Sequence, residues 1–178
     1  SRVPVETIFD VGFGELFCVR IAGNIVNDDI LASIEYVCHV IGAKMILVLG
    51  HTRCGAIAAA CDGVKEGYIS ALLEKIQPAI NAENTVKTNR SSSNEHYLTH
   101  VTTLNIAHTL HEIYERSTIL KKMIQNDEIG LTGAVYHVEK GNVEFIDCQN
   151  DLKKLYGHHA AMLIEKTRFV LDEAGMLP

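Results

Sequence analysis

The segment from Met45 to Cys61 constrains the fold of this 178-residue chain more than any other part of the sequence. An apolar run from Met45 to Leu49 ends at Gly50, and a stretch of small residues runs from Gly55 to Cys61. The apolar run predicts a buried parallel strand, and the small residues predict a helix. The turn between them then lies at the carboxyl end of a strand, where open α/β sheets place their functional sites.

That turn carries a histidine and a cysteine three positions apart, His51 and Cys54. Imidazole and thiolate are ligand types that suit Zn²⁺, and a tight turn at a strand end can aim both at one point. The pair supplies two ligands, whereas a zinc site that keeps an open position for water uses three. A lone His-x-x-Cys pair also arises by chance, so its position after the strand is what favours metal binding.

The remaining pattern predicts an α/β fold in which helices flank a central, mostly parallel β-sheet. A strand over 15–22 leads through Gly23 and Asn24 to a helix that Asn27 or Asp28 caps and that ends near Gly42. The strand over 44–49 follows, which gives a strand–helix–strand unit and therefore parallel pairing. The expected later elements are a helix over 70–81 that Pro78 interrupts, a polar loop over 84–94, helices over 95–116 and 118–125, a hairpin over 129–146 and helical residues over 151–175.

Composition excludes several classes of protein. A net charge of −6 offers no basic surplus to meet phosphates, so nucleic-acid binding is not expected. No apolar run approaches the length of a membrane span, and no secretory leader is expected. The five cysteines are odd in number and irregularly spaced, which favours reduced thiols in a cytoplasmic protein over a disulfide framework.

Three sequence blocks resemble the β-class carbonic anhydrases. They are Ser1-Arg2-Val3-Pro4, Arg20-Ile21-Ala22-Gly23-Asn24 and His51-Thr52-Arg53-Cys54-Gly55. The segments 101–105 and 130–136 are also similar to that family, and the resemblance covers about residues 1–147. It implies one domain of this fold over 1–178, without the family's N-terminal arm and with a helical extension over about 151–178.

The resemblance also implies a zinc ion held by two cysteines and one histidine. His51 and Cys54 match two of these ligands, and the first cysteine is expected three residues before Ser1. An aspartate is expected directly before Ser1, and its arginine partner matches Arg2, which holds that aspartate away from the metal. We expect the sequence to be an incomplete record of such an enzyme; the alternative is a cut form that holds zinc poorly.

The function implied is reversible hydration of CO₂ to bicarbonate and a proton, by attack of zinc-bound hydroxide on CO₂. Arg2 is then the catalytic arginine, and the backbone N–H of Gly55 faces bound substrate. Phe17, Ala22 and Tyr36 match positions that line the family's pocket, some of them reaching in from a neighbouring subunit. Four of these residues have a plainer alternative: Arg2 as a surface arginine, Gly55 as a glycine that relieves crowding, and Phe17 and Ala22 as ordinary core residues.

Two alternative functions remain open from the sequence. One is a hydrolase of carbon disulfide or carbonyl sulfide on the same scaffold, and the other is a non-catalytic module, such as a domain linked to a transporter. A homodimer or larger homo-oligomer is expected because the family shares its pocket between subunits. His96, His100, His108 and His111 have helical metal-site spacing. They lack a supporting carboxylate or cysteine pattern, so they are expected at a surface or interface.

Overall fold

The computed structural model describes residues 4–157, 163, 165 and 166, and these residues form helices around a small sheet. The helices are α1 (Val5–Ile8), α2 (Asp28–Glu35), α3 (Gly55–Cys61), α4 (Gly67–Glu74), α5 (Gln77–Ala82), α6 (Glu95–Arg116), α7 (Thr118–Gln125) and α8 (Cys148–Tyr156), and the strands are β1 (Met45–His51), β2 (Gly130–His137) and β3 (Asn142–Phe145). The predicted α/β class is confirmed. None of the helices in this part of the chain is long and apolar enough to cross a membrane.

The sheet of the described residues has the strand order β1-β2-β3. Strands β1 and β2 are parallel, in a register that runs from Met45 opposite Gly130 to His51 opposite Tyr136. Strand β3 returns antiparallel to β2, with His137 opposite Asn142. The 22-residue helix α6 packs against both parallel strands and also against α5, α7 and α8. Most of the interior therefore lies around α6, where Leu104, Ile106 and Leu110 are almost fully buried.

Local signals explain where several helices begin and end. The side chain of Asn27 accepts a hydrogen bond from the N–H of Ile30 and caps α2, as predicted. A π-helical turn, Tyr36–Ile41, continues this helix until Gly42, whose φ of 93° stops it. Helices α6 and α7 have the predicted bounds, with Asn94 and Ser117 as their capping residues.

The helix predicted over 70–81 is interrupted next to Pro78, as expected. The chain forms α4 and α5 there, with the break after Glu74. A proline ring at position 78 clashes with the carbonyl four residues earlier and cannot donate an N–H. The helix therefore stops at Glu74 and restarts with Pro78 in the first turn of α5, where proline is tolerated.

The prediction of a strand over 15–22 is wrong. Residues 15–21 are in no helix or strand, and Ala22–Asn24 form a short 3₁₀ turn. A strand needs a partner backbone and a buried face, but Leu16, Phe17 and Val19 are each at least 40% exposed. A cavity lies between this segment and β1. As a result β1 is buried on the face of Ile46 and Val48 only, whereas the sequence predicted a fully buried strand.

Candidate metal centre

The turn after β1 brings the two predicted metal ligands together. His51 is the last residue of β1, and Cys54 is the N-cap residue of α3. Between them Arg53 has a φ of 54°, a left-handed conformation within the tight turn that joins β1 to α3. The side chains of His51 and Cys54 share a hydrogen bond. The expectation that both point at one place therefore agrees with the geometry, although their role as ligands stays a prediction.

The imidazole of His51 is oriented by its own turn. Its Nδ1 lies 2.8 Å from the carbonyl oxygen of Thr52. Because a carbonyl oxygen only accepts hydrogen bonds, Nδ1 carries the proton, and Nε2 is the ring nitrogen left to face Cys54 or a metal ion. The hydrogen bond with Cys54 raises the pKa of His51, against the opposing effect of burial.

Cys54 is 7% exposed and lies at the start of α3. Burial alone raises the pKa of its thiol, but hydrogen bonds from His51 and from the backbone N–H groups of Ile57 and Ala56 outweigh it. The net pKa is lowered. A thiolate is the form that binds metal, so the backbone at the start of α3 favours the ligand form of this cysteine. Cys18, Cys38 and Cys61 are free thiols as well, and burial raises the pKa of each.

These two side chains fit two positions of a zinc site. A ligating histidine typically donates its other ring N–H to a carbonyl or carboxylate, as Nδ1 of His51 does to Thr52. Within residues 4–157, 163, 165 and 166, however, no third histidine, cysteine, aspartate or glutamate joins them. The four histidines of α6 form no such cluster in that part of the chain either.

A cavity of about 500 Å³ runs along β1 and reaches His51. It is lined by the segment from Glu15 to Ile21, by α2 and by β1 as far as His51. The lining is largely apolar, with Phe17, Ile21 and Leu49 among its residues. Such a wall suits a small uncharged molecule better than a charged one.

The other predicted site residues lie in different surroundings. Phe17 lines the cavity, whereas Ala22 and Tyr36 are exposed and lie outside it in the single chain. A side chain at Gly55 would meet no atom of the described residues within 4 Å, so crowding by these residues does not explain this glycine. Arg2 lies outside the described residues.

Two groups of contacts at the site were not anticipated from the sequence. Asn105 on α6 donates a hydrogen bond to the carbonyl of Gly23, which packs against Ala56 of α3. Glu139, in the hairpin turn, contacts both Thr52 and Arg53 between the two ligands. The first group could have been found from the sequence, because Asn105 is a polar residue among the apolar positions of α6 that face the interior. No local signal marked the second, because the partners are 87 residues apart.

Comparison with known proteins identifies the family. The family model for carbonic anhydrase matches residues 1–143. The crystal structure of a β-carbonic anhydrase from Aspergillus fumigatus superposes with a TM-score of 0.73 at 21% identity, covering 93% of this chain and 77% of that one. A tetrameric β-carbonic anhydrase from Sordaria macrospora gives a TM-score of 0.70 at 22% identity, covering 82% and 75%. The chain belongs to the β-carbonic anhydrase family.

The sequence relatives agree with this assignment. The carbonic anhydrase of Mycolicibacterium smegmatis is 32% identical over 149 residues, which make up 81% of this chain and 69% of that protein. The resemblance first noted in three short blocks is thus confirmed, and it places the chain in an enzyme family of the lyase class.

Proposed function

We propose that this protein catalyses the reversible hydration of CO₂ to bicarbonate and a proton with a zinc ion that His51 and Cys54 help to hold. The observation that carries the proposal is the contact between these two side chains, with Nδ1 of His51 bonded to the carbonyl of Thr52. This arrangement leaves Nε2 and the sulfur available for one metal ion.

The proposal requires a third protein ligand from outside the described residues, since catalytic zinc sites use three. The family resemblance assigns this role to a cysteine upstream of Ser1, and it pairs Arg2 with an aspartate next to that cysteine. When bound, zinc would act as a Lewis acid that activates a water molecule near neutral pH for attack on CO₂.

The chain's own residues have separate tasks in this proposal. The carbonyl of Thr52 keeps His51 in the tautomer that binds metal, and the N–H groups of Ala56 and Ile57 favour the Cys54 thiolate. The cavity wall around Phe17 provides an apolar path for CO₂. The N–H of Gly55 is the proposed donor to bound substrate.

The test compares three alanine variants of the intact protein. His51→Ala and Cys54→Ala are each expected to lose zinc, measured by elemental analysis, and to lose CO₂ hydration in stopped-flow assays. Cys61→Ala is the matched control. Its thiol is half-buried at the end of the same helix, and burial raises its pKa to about 11, so zinc and activity should remain.

Three results would contradict the proposal in different ways. Zinc retained after Cys54→Ala would refute the ligand assignment. Absence of zinc from the intact wild-type protein would favour the non-catalytic module. Carbon disulfide turnover that exceeds CO₂ hydration would favour the hydrolase instead.

We further propose that the protein works as a homodimer or a larger homo-oligomer. The support is a set of exposed apolar side chains beside the cavity, in which Phe17, Tyr36 and Ile41 are each more than half exposed. A second copy of the chain would cover these side chains. Sedimentation of a fully active monomer would refute this proposal.

A further inference from the structure

The turn that carries His51 and Cys54 is fastened to the β2–β3 hairpin by three hydrogen bonds. The N–H of Thr52 donates to the carbonyl of Tyr136 at 3.0 Å, which extends the β1–β2 ladder by one residue. The N–H of Val138 donates to Oγ1 of Thr52 at 3.0 Å, and that hydroxyl donates to Oε2 of Glu139 at 2.8 Å. Thr52 is thus held through both its backbone and its side chain.

Glu139 also holds the next residue of the turn. Its second carboxylate oxygen, Oε1, forms an ion pair with Nε of Arg53. Arg53 is in the left-handed region with a φ of 54°, which L side chains seldom adopt without support from their surroundings. One carboxylate therefore contacts both residues between the two ligands.

We propose that Glu139 is a positioning residue that fixes the backbone of the turn and thereby sets the metal affinity of His51 and Cys54. Partners that orient ligands contribute to metal affinity without touching the metal. Glu139 acts one step further out, through the residues that join the ligands. This inference rests on the proposed function, because it assumes that the two side chains bind the same ion.

The hairpin supplies a matched control in Glu144. This residue lies on β3, is exposed, and pairs with Nε2 of His137 at 2.7 Å. It carries the same charge on the same hairpin as Glu139, but its partner is His137 and not Thr52 or Arg53. Removing Glu144 therefore repeats the loss of charge without releasing Thr52 or Arg53.

The first experiment measures metal binding by the intact protein. We expect Glu139→Ala to weaken Zn²⁺ binding about tenfold in chelator competition, and to alter the thiolate charge-transfer band when Co²⁺ replaces Zn²⁺. Glu139→Gln keeps an acceptor for Thr52 but loses the ion pair, so its affinity should lie between those of Glu139→Ala and the wild type. Glu144→Ala should bind Zn²⁺ as the wild type does. Equal affinity for Glu139→Ala and the wild type, or an equal loss for Glu144→Ala, overturns the proposal.

The second experiment uses the metal-free protein and follows amide hydrogen exchange. Glu139→Ala should accelerate exchange at Thr52 and Val138, and Glu144→Ala should not. Unchanged exchange at both amides overturns the positioning role whatever the metal does. If exchange responds to Glu139→Ala but zinc binding does not depend on His51 and Cys54, the proposed function fails and the link from Glu139 to metal affinity fails with it. The opposite case is that His51→Ala and Cys54→Ala lose zinc while Glu139→Ala keeps the zinc affinity and amide exchange of the wild type. That result refutes only the Glu139 inference.

Discussion

The side-chain amide of Asn105 donates a 2.8 Å hydrogen bond to the carbonyl oxygen of Gly23, which lies 82 positions earlier in the chain. Asn105 is fully buried, and Thr109 one turn later donates to the carbonyl of Asn24 at 2.9 Å. Two side chains of α6 thus supply the hydrogen bonds that the carbonyls of this loop would otherwise make to water. Gly23 in turn packs against Ala56, so the loop also supports the helix that begins after Cys54.

Replacing Asn105 by alanine should therefore destabilise the protein by about 1–3 kcal/mol, because it leaves a buried carbonyl without a donor. Urea unfolding measures this loss. The control is Thr99→Ala at an exposed position of the same helix, where the hydroxyl donates to the carbonyl of Glu95 within α6. A loss for Asn105→Ala no larger than that of the control would show that the bond to Gly23 contributes little.

Gly50 lies where β1 passes closest to α6. A Cβ at this position would lie 2.7 Å from Cδ1 of Ile106 and 3.2 Å from Cγ2 of Thr102. Ile106 is fully buried and has little room to move, so Gly50→Ala should cost about 1–3 kcal/mol through overpacking. Thermal unfolding checks the loss.

The double variant Gly50→Ala/Ile106→Val provides the control for this clash. Valine lacks the Cδ1 atom nearest to the added methyl group, so the double variant should be more stable than the sum of the two single changes predicts. Purely additive losses would mean that the contact with Ile106 is not what excludes a side chain at Gly50.

Gly55 should behave in the opposite way. In the part of the chain that the structure describes, a side chain there would meet no atom within 4 Å, and the residue opens α3. We expect Gly55→Ala to keep the stability of the wild type or to raise it by about 0.4–1 kcal/mol. If the Gly55 N–H faces substrate, CO₂ hydration should fall all the same, because the methyl group would intrude on the substrate. Full activity together with full stability would remove Gly55 from the proposed site.

Stability should depend on pH through Glu83. This carboxylate is 2% exposed, which by itself raises its pKa, but hydrogen bonds from Thr85 and Val86 outweigh burial and lower the pKa from 4.5 to about 2. Arg90 donates a further hydrogen bond of 2.6 Å. Because the pKa is lower in the folded state, the stabilisation is fully present above pH 4.5. It is lost as the pH falls towards 2, by up to about 3 kcal/mol.

Glu83→Gln tests this pH dependence. The variant should be less stable than the wild type at pH 7, and its stability should change less between pH 4.5 and 2, as urea unfolding at several pH values would show. Glu74→Gln, at an exposed position of α4, should keep the wild-type pH dependence. If Glu83→Gln also kept the wild-type pH dependence, Glu83 would not be its source.

The elements that the sequence predicted well are those whose signals are local. Helices α6 and α7 are capped by Asn94 and Ser117, whose side chains accept hydrogen bonds from the nearby backbone, and such caps can be predicted from neighbouring residues. The same holds for the turn after β1, where a glycine, a histidine and a cysteine follow an apolar run. The sequence by itself therefore determined the α/β class, the family and the two candidate ligands.

The tertiary structure decided what depends on distant partners. Residues 15–21 have the apolar composition of a strand, yet they pair with no strand, because hydrogen-bond partners and a buried face come from other parts of the chain. Glu139 and Asn105 reach the candidate site only because folding brings together residues more than 80 positions apart. Periodicity and spacing carry no record of such contacts, so only the folded chain could reveal them.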